Sequence, residues 1–321
     1  GIYEGPVVLD RGVAIVAADG PGTTKLDGSK SLGPVLIIDG APAGAVLAGF
    51  TIRAGDPSGE HPMGGGIVGV DSFATIADCV IVGNTGMEGG GLRFEGFGFP
   101  VVVGCEIRNN LSYGPGGGVY GPEFRIEDCT IESNISLEGV GHAIASSNAW
   151  VYDSTIRNHD ADGTVVDQGS WIGLGEFDMR VRNCLIEDNA GTASYGVGEV
   201  KDSIVRNNGG NGVADATVIQ NCTITGNSGD GVFAAFGGIF DSTISGNGGV
   251  GFRGTIDPQY FIDNTVCGTT EGALAGMTND ELLEFGVDNI ILDDRCPDFV
   301  VPDDADTIQL AIDTSIDVVG W

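Results

Sequence analysis

The chain of 321 residues carries 45 acidic residues against 14 lysines and arginines, which gives a formal net charge of −31. This balance argues against a nucleic-acid partner, which needs a basic face, and against binding to anionic membrane surfaces. No stretch of eighteen or more apolar residues occurs, so we expect no membrane insertion, while 41% apolar residues allow one long buried core.

The sequence shows neither an initiator methionine nor a signal-peptide pattern, and we therefore interpret it as a processed or excised segment of a larger product. Its excess of acids fits a large soluble surface. The binding of divalent cations, or a saline habitat, is the alternative explanation.

The first fifty residues predict short strands in loosely spaced coils. Apolar runs stand at residues 13–16 (VAIV) and 35–38 (VLII), and Phe50-Thr51-Ile52 continues the pattern. Short apolar runs that are rich in β-branched residues are typical of buried strands.

From residue 79 onward the chain repeats a pattern of four positions. A small residue, Cys or Ser, is the anchor; a polar residue or glycine precedes it, an apolar residue follows two positions later, and asparagine comes five positions after it. The steps between anchors run from 19 to 30 residues, which indicates a solenoid whose coils keep a fixed segment and tolerate insertions. The eight anchors are Cys79, Cys105, Cys129, Ser154, Cys184, Ser203, Cys222 and Ser242.

The alternation around each anchor predicts a short strand with the later apolar residue facing inward. We assign the left-handed backbone turn to the asparagine, and we expect the asparagines of successive coils to stack and bond along the axis. His159 is the one exception at that position. Glycine-rich steps return the chain, and the five anchor cysteines are predicted to form a buried stack of reduced thiols.

This pattern resembles the repeats of secreted right-handed parallel β-helix proteins of the pectin-lyase-like kind. The resemblance implies an all-β, right-handed parallel β-helix solenoid over residues 1–266, with about eleven or twelve coils and a length on the order of 55 Å. It is specific for the fold and not for an activity, because this architecture carries lyases, hydrolases, epimerases, adhesins and fibres.

The longest insertion, residues 150–182, is the best local candidate for chemistry. Tyr152, Arg157 and His159 are candidate catalytic residues for a lyase or epimerase of uronic acids, and turn or surface roles are the alternative. Asp160 and Asp162 are candidate calcium ligands, and we expect no other cofactor.

Several arginines come directly after the inward residue of a predicted strand, or one residue later. Period-two alternation puts them outside, where they form a mixed-charge stripe with neighbouring glutamates; a binding groove is the alternative. The residues of this stripe are Arg53, Arg108, Arg157, Arg206, Glu106, Glu132 and Glu187.

Residues 267–297 lose the repeat and are predicted to be an irregular linker, with a short helix candidate at residues 279–284. Similar β-helix proteins often end with a Cys-Gly-x-Thr segment and a later Cys-Pro, as in Cys267-Gly268-Thr269-Thr270 and Cys296-Pro297 here. The resemblance implies a disulfide between Cys267 and Cys296, and two free thiols are the alternative.

Residues 298–321 look like the opening of a β-helix, with a capped amphipathic helix followed by a strand. In proteins of the same kind such a segment leads into a Gly-x-Tyr turn, which here stands at the other terminus. We therefore expect one copy to complete the next, in a tandem array or by non-covalent assembly. The residues expected at this contact are Gly1, Ile2, Tyr3, Ile308, Ala311, Ile312, Val318, Val319 and Trp321.

Two functions of different classes follow. The first is an extracellular or cell-surface structural protein that forms one period of a head-to-tail filament, with identical copies as its partners. The alternative is a secreted polysaccharide lyase, epimerase or hydrolase that acts on acidic glycans, with a polysaccharide as the partner.

Overall fold

A computed structural model describes residues 1–30, 32–58, 64–168, 179–276 and 289–292. These residues form a solenoid of short strands, with one 3-10 helix at Pro258–Tyr260. The strands of the first part are β1 (Ile2–Glu4), β2 (Val7–Leu9), β3 (Ala14–Val16), β4 (Lys25–Asp27), β5 (Leu36–Asp39), β6 (Val46–Ala48), β7 (Thr51–Arg53), β8 (Ile67–Val70), β9 (Thr75–Ala77), β10 (Val80–Val82), β11 (Thr85–Gly86) and β12 (Leu92–Glu95).

The strands of the central part are β13 (Val101–Val103), β14 (Glu106–Arg108), β15 (Leu111–Ser112), β16 (Val119–Glu127), β17 (Thr130–Glu132), β18 (Ile135–Ser136), β19 (Ile144–Tyr152), β20 (Thr155–Arg157), β21 (Thr164–Asp167), β22 (Arg180–Arg182), β23 (Leu185–Glu187) and β24 (Thr192–Tyr195). Those of the last part are β25 (Glu199–Lys201), β26 (Ile204–Arg206), β27 (Val213–Gln220), β28 (Thr223–Thr225), β29 (Val232–Phe240), β30 (Thr243–Ser245), β31 (Phe252–Arg253), β32 (Phe261–Ile262), β33 (Thr265–Cys267), β34 (Leu274–Ala275) and β35 (Ile290–Leu292).

Most strands pair in parallel along three faces of the rod, and a short fourth ladder joins β11, β15 and β18. Ladder 1 runs β2-β5-β8-β12-β16-β19-β21-β24-β27-β29-β31-β34, and ladder 2 runs β3-β6-β9-β13-β16-β19-β22-β25-β27-β29-β32. Ladder 3 runs β1-β4-β7-β10-β14-β17-β20-β23-β26-β28-β30-β33-β35. The chain is thus a right-handed parallel β-helix, as the sequence predicts, and the described part of its third ladder has thirteen strands where eleven or twelve coils were expected.

The interior is filled by the apolar residue two positions after each anchor. These side chains stack in register down ladder 3, and each is completely buried, which confirms the predicted inward face. They are Ile81, Ile107, Ile131, Ile156, Ile186, Val205, Ile224 and Ile244.

Two sharp turns flank each strand of ladder 3, and both need a left-handed residue. The residue before the anchor has positive φ, for example Asp78 at 50° and Asn183 at 52°. The residue four positions after the anchor does so as well, for example Asn109 at 53° and Ser133 at 54°. The prediction that the ladder asparagine adopts the left-handed conformation was therefore wrong by one position. The side chain of the asparagine points inward, and the residue before it has the left-handed backbone.

The asparagines form the predicted buried ladder. The backbone N–H and Nδ2 of Asn84 both donate to Oδ1 of Asn110, at 3.1 and 3.0 Å, and Nδ2 of Asn110 donates to the carbonyl of Ile81 at 2.9 Å. The same contacts recur from Asn189 to Asn208 and on to Asn227. Each asparagine thereby satisfies backbone and side-chain groups that are shut off from water.

The anchors form a second ladder that has a defined role. The backbone N–H of Cys79 approaches Sγ of Cys105 at 3.4 Å, and that of Cys129 donates to Oγ of Ser154 at 3.1 Å. The anchor cysteines are buried and free, as predicted, and burial raises the pKa of Cys184 to about 12. An anchor must therefore be both small and a hydrogen-bond acceptor, which explains why Ser and Cys exchange there.

The β-helix does not end at residue 266, the predicted boundary of the irregular linker. β34 pairs with β31, and β35 pairs with β33, so both ladders continue into residues 267–297. Asn264 and Asn289 take the anchor position, since Ser242 N–H donates to Oδ1 of Asn264 and Asn264 N–H to Oδ1 of Asn289. The pattern was missed because asparagine supplies the acceptor there in place of Cys or Ser.

The predicted mixed-charge stripe lies on the outer face of ladder 3. Arg53 pairs with Asp27 at 2.6 Å, Arg157 with Glu132 at 3.1 Å, and Arg206 with Glu187 at 2.6 Å. Arg108 contacts Glu106 of its own strand at 3.4 Å. These arginines are therefore neutralised in pairs, as expected of a solvated face.

Several predictions fall outside the described residues. They are the helix candidate at residues 279–284, the partner Cys296 of the implied disulfide, and the whole segment 298–321 with its six assembly residues. Cys267 itself is buried at the end of β33. Across the described ranges, no helix has the length and apolar character that crossing a bilayer requires.

The asparagine ladder gives a first testable prediction. Asn110→Ala should lower the free energy of unfolding by roughly 3 kcal/mol or more, because two donors of Asn84 and the carbonyl of Ile81 lose their buried partner. Urea unfolding followed by circular dichroism measures this change.

The matched control is Gln220→Ala, at a half-buried outward position of β27, where a change within about 0.5 kcal/mol is expected. Equal losses in the two variants would show that the ladder contributes nothing beyond ordinary packing.

Candidate functional site

His159 lies in the interior of the rod and not at its surface. It is completely buried, its backbone N–H donates to Oδ1 of Asn189 at 3.1 Å, and its Nδ1 lies 2.9 Å from the same oxygen. A carboxamide oxygen only accepts, so we assign the ring proton to Nδ1. Burial lowers the pKa of His159 to about 4, and the ring is therefore neutral. It replaces an asparagine in the ladder.

The other sequence candidates do not converge with His159. Arg157 faces outward on ladder 3, where it pairs with Glu132, whereas Tyr152 lies on ladder 2 beneath the guanidinium of Arg125. Asp160 and Asp162 are exposed turn residues. Within the described ranges no three His, Cys, Asp or Glu side chains group as metal ligands, and a calcium site there stays a prediction.

The structure brings other residues together, on the outer face of ladder 1. Arg93 of β12 is in register with Tyr120 of β16, which is in register with Ala145 of β19. Asp167 and then Tyr195 continue the row. Their neighbours along each strand point inward, so these side chains stand outside, about 4.8 Å apart from coil to coil.

A cleft of about 550 Å³ lies over this row. Its floor is formed by Arg93, Tyr120 and Ala145, and its walls come from turns on either side of ladder 1. The residues that line it are Glu88, Arg93, Phe94, Glu95, Gly96, Pro115, Tyr120, Gly121, Pro122, Glu138, Val140, Ala145, Ser146, Ser147 and Gln168.

Arg93 is the fixed cation of the cleft. Its Nε bonds to Oε2 of Glu88 at 3.2 Å, its Nη1 contacts Glu95, and only 13% of its side chain is exposed. A guanidinium held from two sides keeps its orientation when a ligand enters. Glu88 belongs to the turn before β12 and Glu95 to β12 itself, so Arg93 ties that turn to its own strand.

The carboxylates of the cleft outnumber its cation. Glu88, Glu95 and Glu138 line it together with Arg93, which leaves a net charge of about −2 at neutral pH. Glu88 and Glu138 both lie next to Gly114. A Cβ atom placed on that glycine would be 3.7 Å from Cγ of Glu88 and 3.9 Å from Cδ of Glu138. Two carboxyl groups at one mouth, with a phenol on the floor, are groups that can move protons on a sugar.

The comparisons with known proteins agree with the fold. The family model described as a right-handed β-helix region matches residues 65–217. No curated protein matches the chain.

Three solved structures are similar to this chain at low sequence identity. The A-module of the mannuronan C-5 epimerase AlgE6 of Azotobacter vinelandii is 13% identical, with 92% of this chain and 89% of that chain covered and a TM-score of 0.53. The AlgE4 A-module of the same organism is 13% identical, with 92% and 85% covered and a TM-score of 0.43. A double mutant of the periplasmic alginate epimerase AlgG is 10% identical, with 91% and 77% covered and a TM-score of 0.49.

The buried histidine gives a second prediction, on pH dependence. The pKa of His159 is about 4 in the folded chain against 6.5 for an ordinary histidine, so between these values the unfolded chain binds a proton that the folded chain excludes. Stability that is present above pH 6.5 is therefore lost as the pH falls towards 4, by up to about 3 kcal/mol from this residue.

Replacing His159 by asparagine, the usual ladder residue, should remove this contribution. Urea unfolding of both proteins between pH 4 and 7 should give a shallower loss of stability on acidification for His159→Asn. Above pH 7 the difference between their free energies of unfolding should be constant. If the free energies of unfolding of the two proteins fell equally with pH over the whole range, His159 would bind its proton equally well in the folded and unfolded chains.

Proposed function

We propose that this chain is a polysaccharide-active enzyme that acts on an acidic glycan at the cleft of ladder 1. The observation that carries the proposal is the convergence of Arg93, Tyr120 and three glutamates from successive coils in one open cleft. The cleft runs across the coils, and a row of outward side chains extends beyond it to Tyr195, which is 44% exposed. An extended polymer therefore fits along the rod better than a compact ligand does.

Each group has a role in this proposal. Tyr120 stands on the floor, where its ring stacks on a sugar and its hydroxyl transfers a proton. Glu138 and Glu88 at the mouth act as the acid and base of the reaction. Arg93, held by Glu88 and Glu95, orients a sugar carboxylate through its remaining N–H donors.

The choice of an acidic glycan draws on the fold comparison. The AlgE6 module, whose printed name is a mannuronan C-5 epimerase, has the same architecture over most of both chains. That likeness concerns the fold, and it makes uronate polymers the first substrates to test. A polymer substrate also places the protein outside the cytoplasm, at a cell surface or in the periplasm.

The test separates the three reaction types. Mannuronan, guluronan and polygalacturonate are each incubated with the protein, and three signals are followed: ultraviolet absorbance of unsaturated ends for a lyase, reducing ends without that absorbance for a hydrolase, and nuclear magnetic resonance of the uronate residues for an epimerase. We expect one signal on at least one polymer. Absence of all three signals on every polymer would overturn the proposal.

The cleft residues give a third prediction. Tyr120→Phe and Glu138→Gln should each lower the turnover number by about a hundredfold or more, because each removes a proton-transfer group. Tyr260→Phe and Glu106→Gln make the same chemical changes at exposed positions elsewhere, and they should leave turnover unchanged. Wild-type turnover in both cleft variants would exclude this cleft as the site.

We propose head-to-tail assembly as a second candidate function, in which the first coil forms the contact. β1, β2 and β3 pair on one side with β4, β5 and β6, and Tyr3 is 58% exposed although it is in register with the buried Leu26. Ile2, Val8 and Val16 are also more than half exposed. Among the described residues β1, β2 and β3 have one strand partner each, and we propose that residues 305–321 of a second copy supply the other; such a contact does not close on itself.

Assembly gives a fourth prediction. If copies join end to end, light scattering of the purified chain should show a mass that grows with concentration, and electron micrographs should show rods longer than one copy. Tyr3→Lys should leave single copies, because a buried ammonium group at the contact is costly.

Phe236→Lys is the control, since Phe236 is 69% exposed but lies away from the first coil. A single-copy mass for the wild-type chain at all concentrations would refute this second function.

A further inference from the structure

The short fourth ladder ends beside the wall of the cleft. Its last strand is β18, and residues 158–163 of the following coil, which the structure describes, form no strand next to it. The N–H groups of Ile135 and Leu137 donate to carbonyls of the preceding coil, at 2.9 Å each. Because alternate residues of a strand pair on opposite sides, the N–H of Ser136 points to the following coil, where no strand can accept it.

A buried histidine supplies the missing acceptor. His142 is completely buried, its Nδ1 accepts the N–H of Ser136 at 2.9 Å, and its Nε2 lies 2.9 Å from the carbonyl oxygen of Asp162. A backbone N–H only donates and a carbonyl only accepts, so we assign the ring proton to Nε2. One imidazole thus links β18 to the following coil in place of a strand.

The position of His142 holds glycine in the two preceding coils. By the register of ladder 1, these residues are Gly90 and Gly117. A Cβ atom on Gly90 would lie 2.4 Å from the carbonyl oxygen of Leu111 in β15. A Cβ atom on Gly117 would lie 2.6 Å from the carbonyl carbon of Ile135 in β18. The strands of the fourth ladder therefore exclude a side chain there, and His142 has room for one because that ladder has ended.

The turn between β18 and His142 carries Glu138 to the cleft. It has five residues (137–141), whereas the corresponding turns of the two preceding coils have three (87–89) and four (113–116). A longer turn has more conformations open to it, so its position depends more on the bonds that hold it.

Side chains hold both ends of this turn. At its end, Oγ1 of Thr164 accepts the N–H of Gly141 at 3.1 Å. At its start, Oγ of Ser136 accepts the N–H of Val140, which also lines the cleft, at 3.2 Å. The N–H of Ser136 is itself held by His142, so loss of that bond would release the residue from which the turn starts.

We propose that His142 is a positioning residue of the cleft, which holds the turn 137–141 so that Glu138 stands at the mouth. The catalytic part of this inference rests on the proposed function, whereas the hold on the turn does not. His142 is completely buried and is not among the residues that line the cleft, so it acts through the turn and does not touch a substrate.

Two substitutions separate the hydrogen bond from the packing. His142→Leu fills the space without an acceptor, whereas His142→Asn supplies a carboxamide oxygen that can accept the N–H of Ser136. In hydrogen exchange followed by mass spectrometry, peptides that cover residues 136–141 should exchange about tenfold faster or more in His142→Leu, and within about threefold of the wild-type rate in His142→Asn. His159→Leu makes the matched change at a second buried histidine and should leave these peptides within about twofold.

Turnover on the uronate polymers tests the catalytic part. His142→Leu should lower the turnover number about tenfold or more and change the Michaelis constant less than about threefold, because Glu138 acts in the reaction and not in binding. His142→Asn should keep turnover within about threefold of the wild-type value, and His159→Leu within about twofold.

Three outcomes would overturn the proposal: equal exchange in the wild-type chain and His142→Leu, equally fast exchange in His142→Leu and His142→Asn, or equal losses of turnover in His142→Leu and His159→Leu. If His142→Leu does not fold, the wild-type chain decides. Nuclear magnetic resonance of the ring nitrogens should show the proton of His142 on Nε2, and a proton on Nδ1 would contradict the bond to Ser136. If the wild-type chain turns over no polymer, the proposed function fails, and the exchange rates still decide whether His142 holds the turn.

Discussion

The structure depends on one requirement, that the backbone N–H groups at the sharp turns of each coil find an acceptor in the next coil. Two side chains per coil supply it. The anchor accepts the N–H of the anchor before it, and the ladder asparagine accepts both the N–H and Nδ2 of its predecessor. Both lie in one segment of six residues that also holds the buried Ile or Val. Since this segment satisfies its polar groups and fills the core at once, the remainder of the coil is free to vary in length.

This requirement explains how much of the fold could be predicted. The anchor and asparagine positions tolerate few residue types. Their spacing was therefore enough to predict the solenoid, its inward face and the outer charge stripe of ladder 3. Two details were missed because several residue types satisfy the same need. Asparagine serves as the acceptor at Asn264 and Asn289, which hid the last coils. Gly, Asn, Ser and Asp all tolerate the left-handed turn beside the ladder, so its position could not be read from residue type.

The cleft could not be predicted in the same way. Arg93, Tyr120 and Glu138 come from three coils separated by turns of different length, and an outward position imposes no residue type on the sequence. Only the register of ladder 1 shows that Arg93 and Tyr120 are neighbours. A histidine was the expected catalytic residue, but His159 owes its place to the ladder, where its ring substitutes for a carboxamide and is shut off from solvent.

Charge is distributed differently on the outer faces of ladders 1 and 3. On ladder 3 the arginines are matched one to one with carboxylates, so that face offers no field to a ligand. On ladder 1 the acids of the cleft exceed its single arginine. Acids in the cleft keep groups available for proton transfer but repel a polyanion. β16 and β19 each run through ladders 1 and 2, and their register continues on both sides of Pro122, which has no N–H to donate, so the floor of the cleft is held rigidly against the neighbouring ladder.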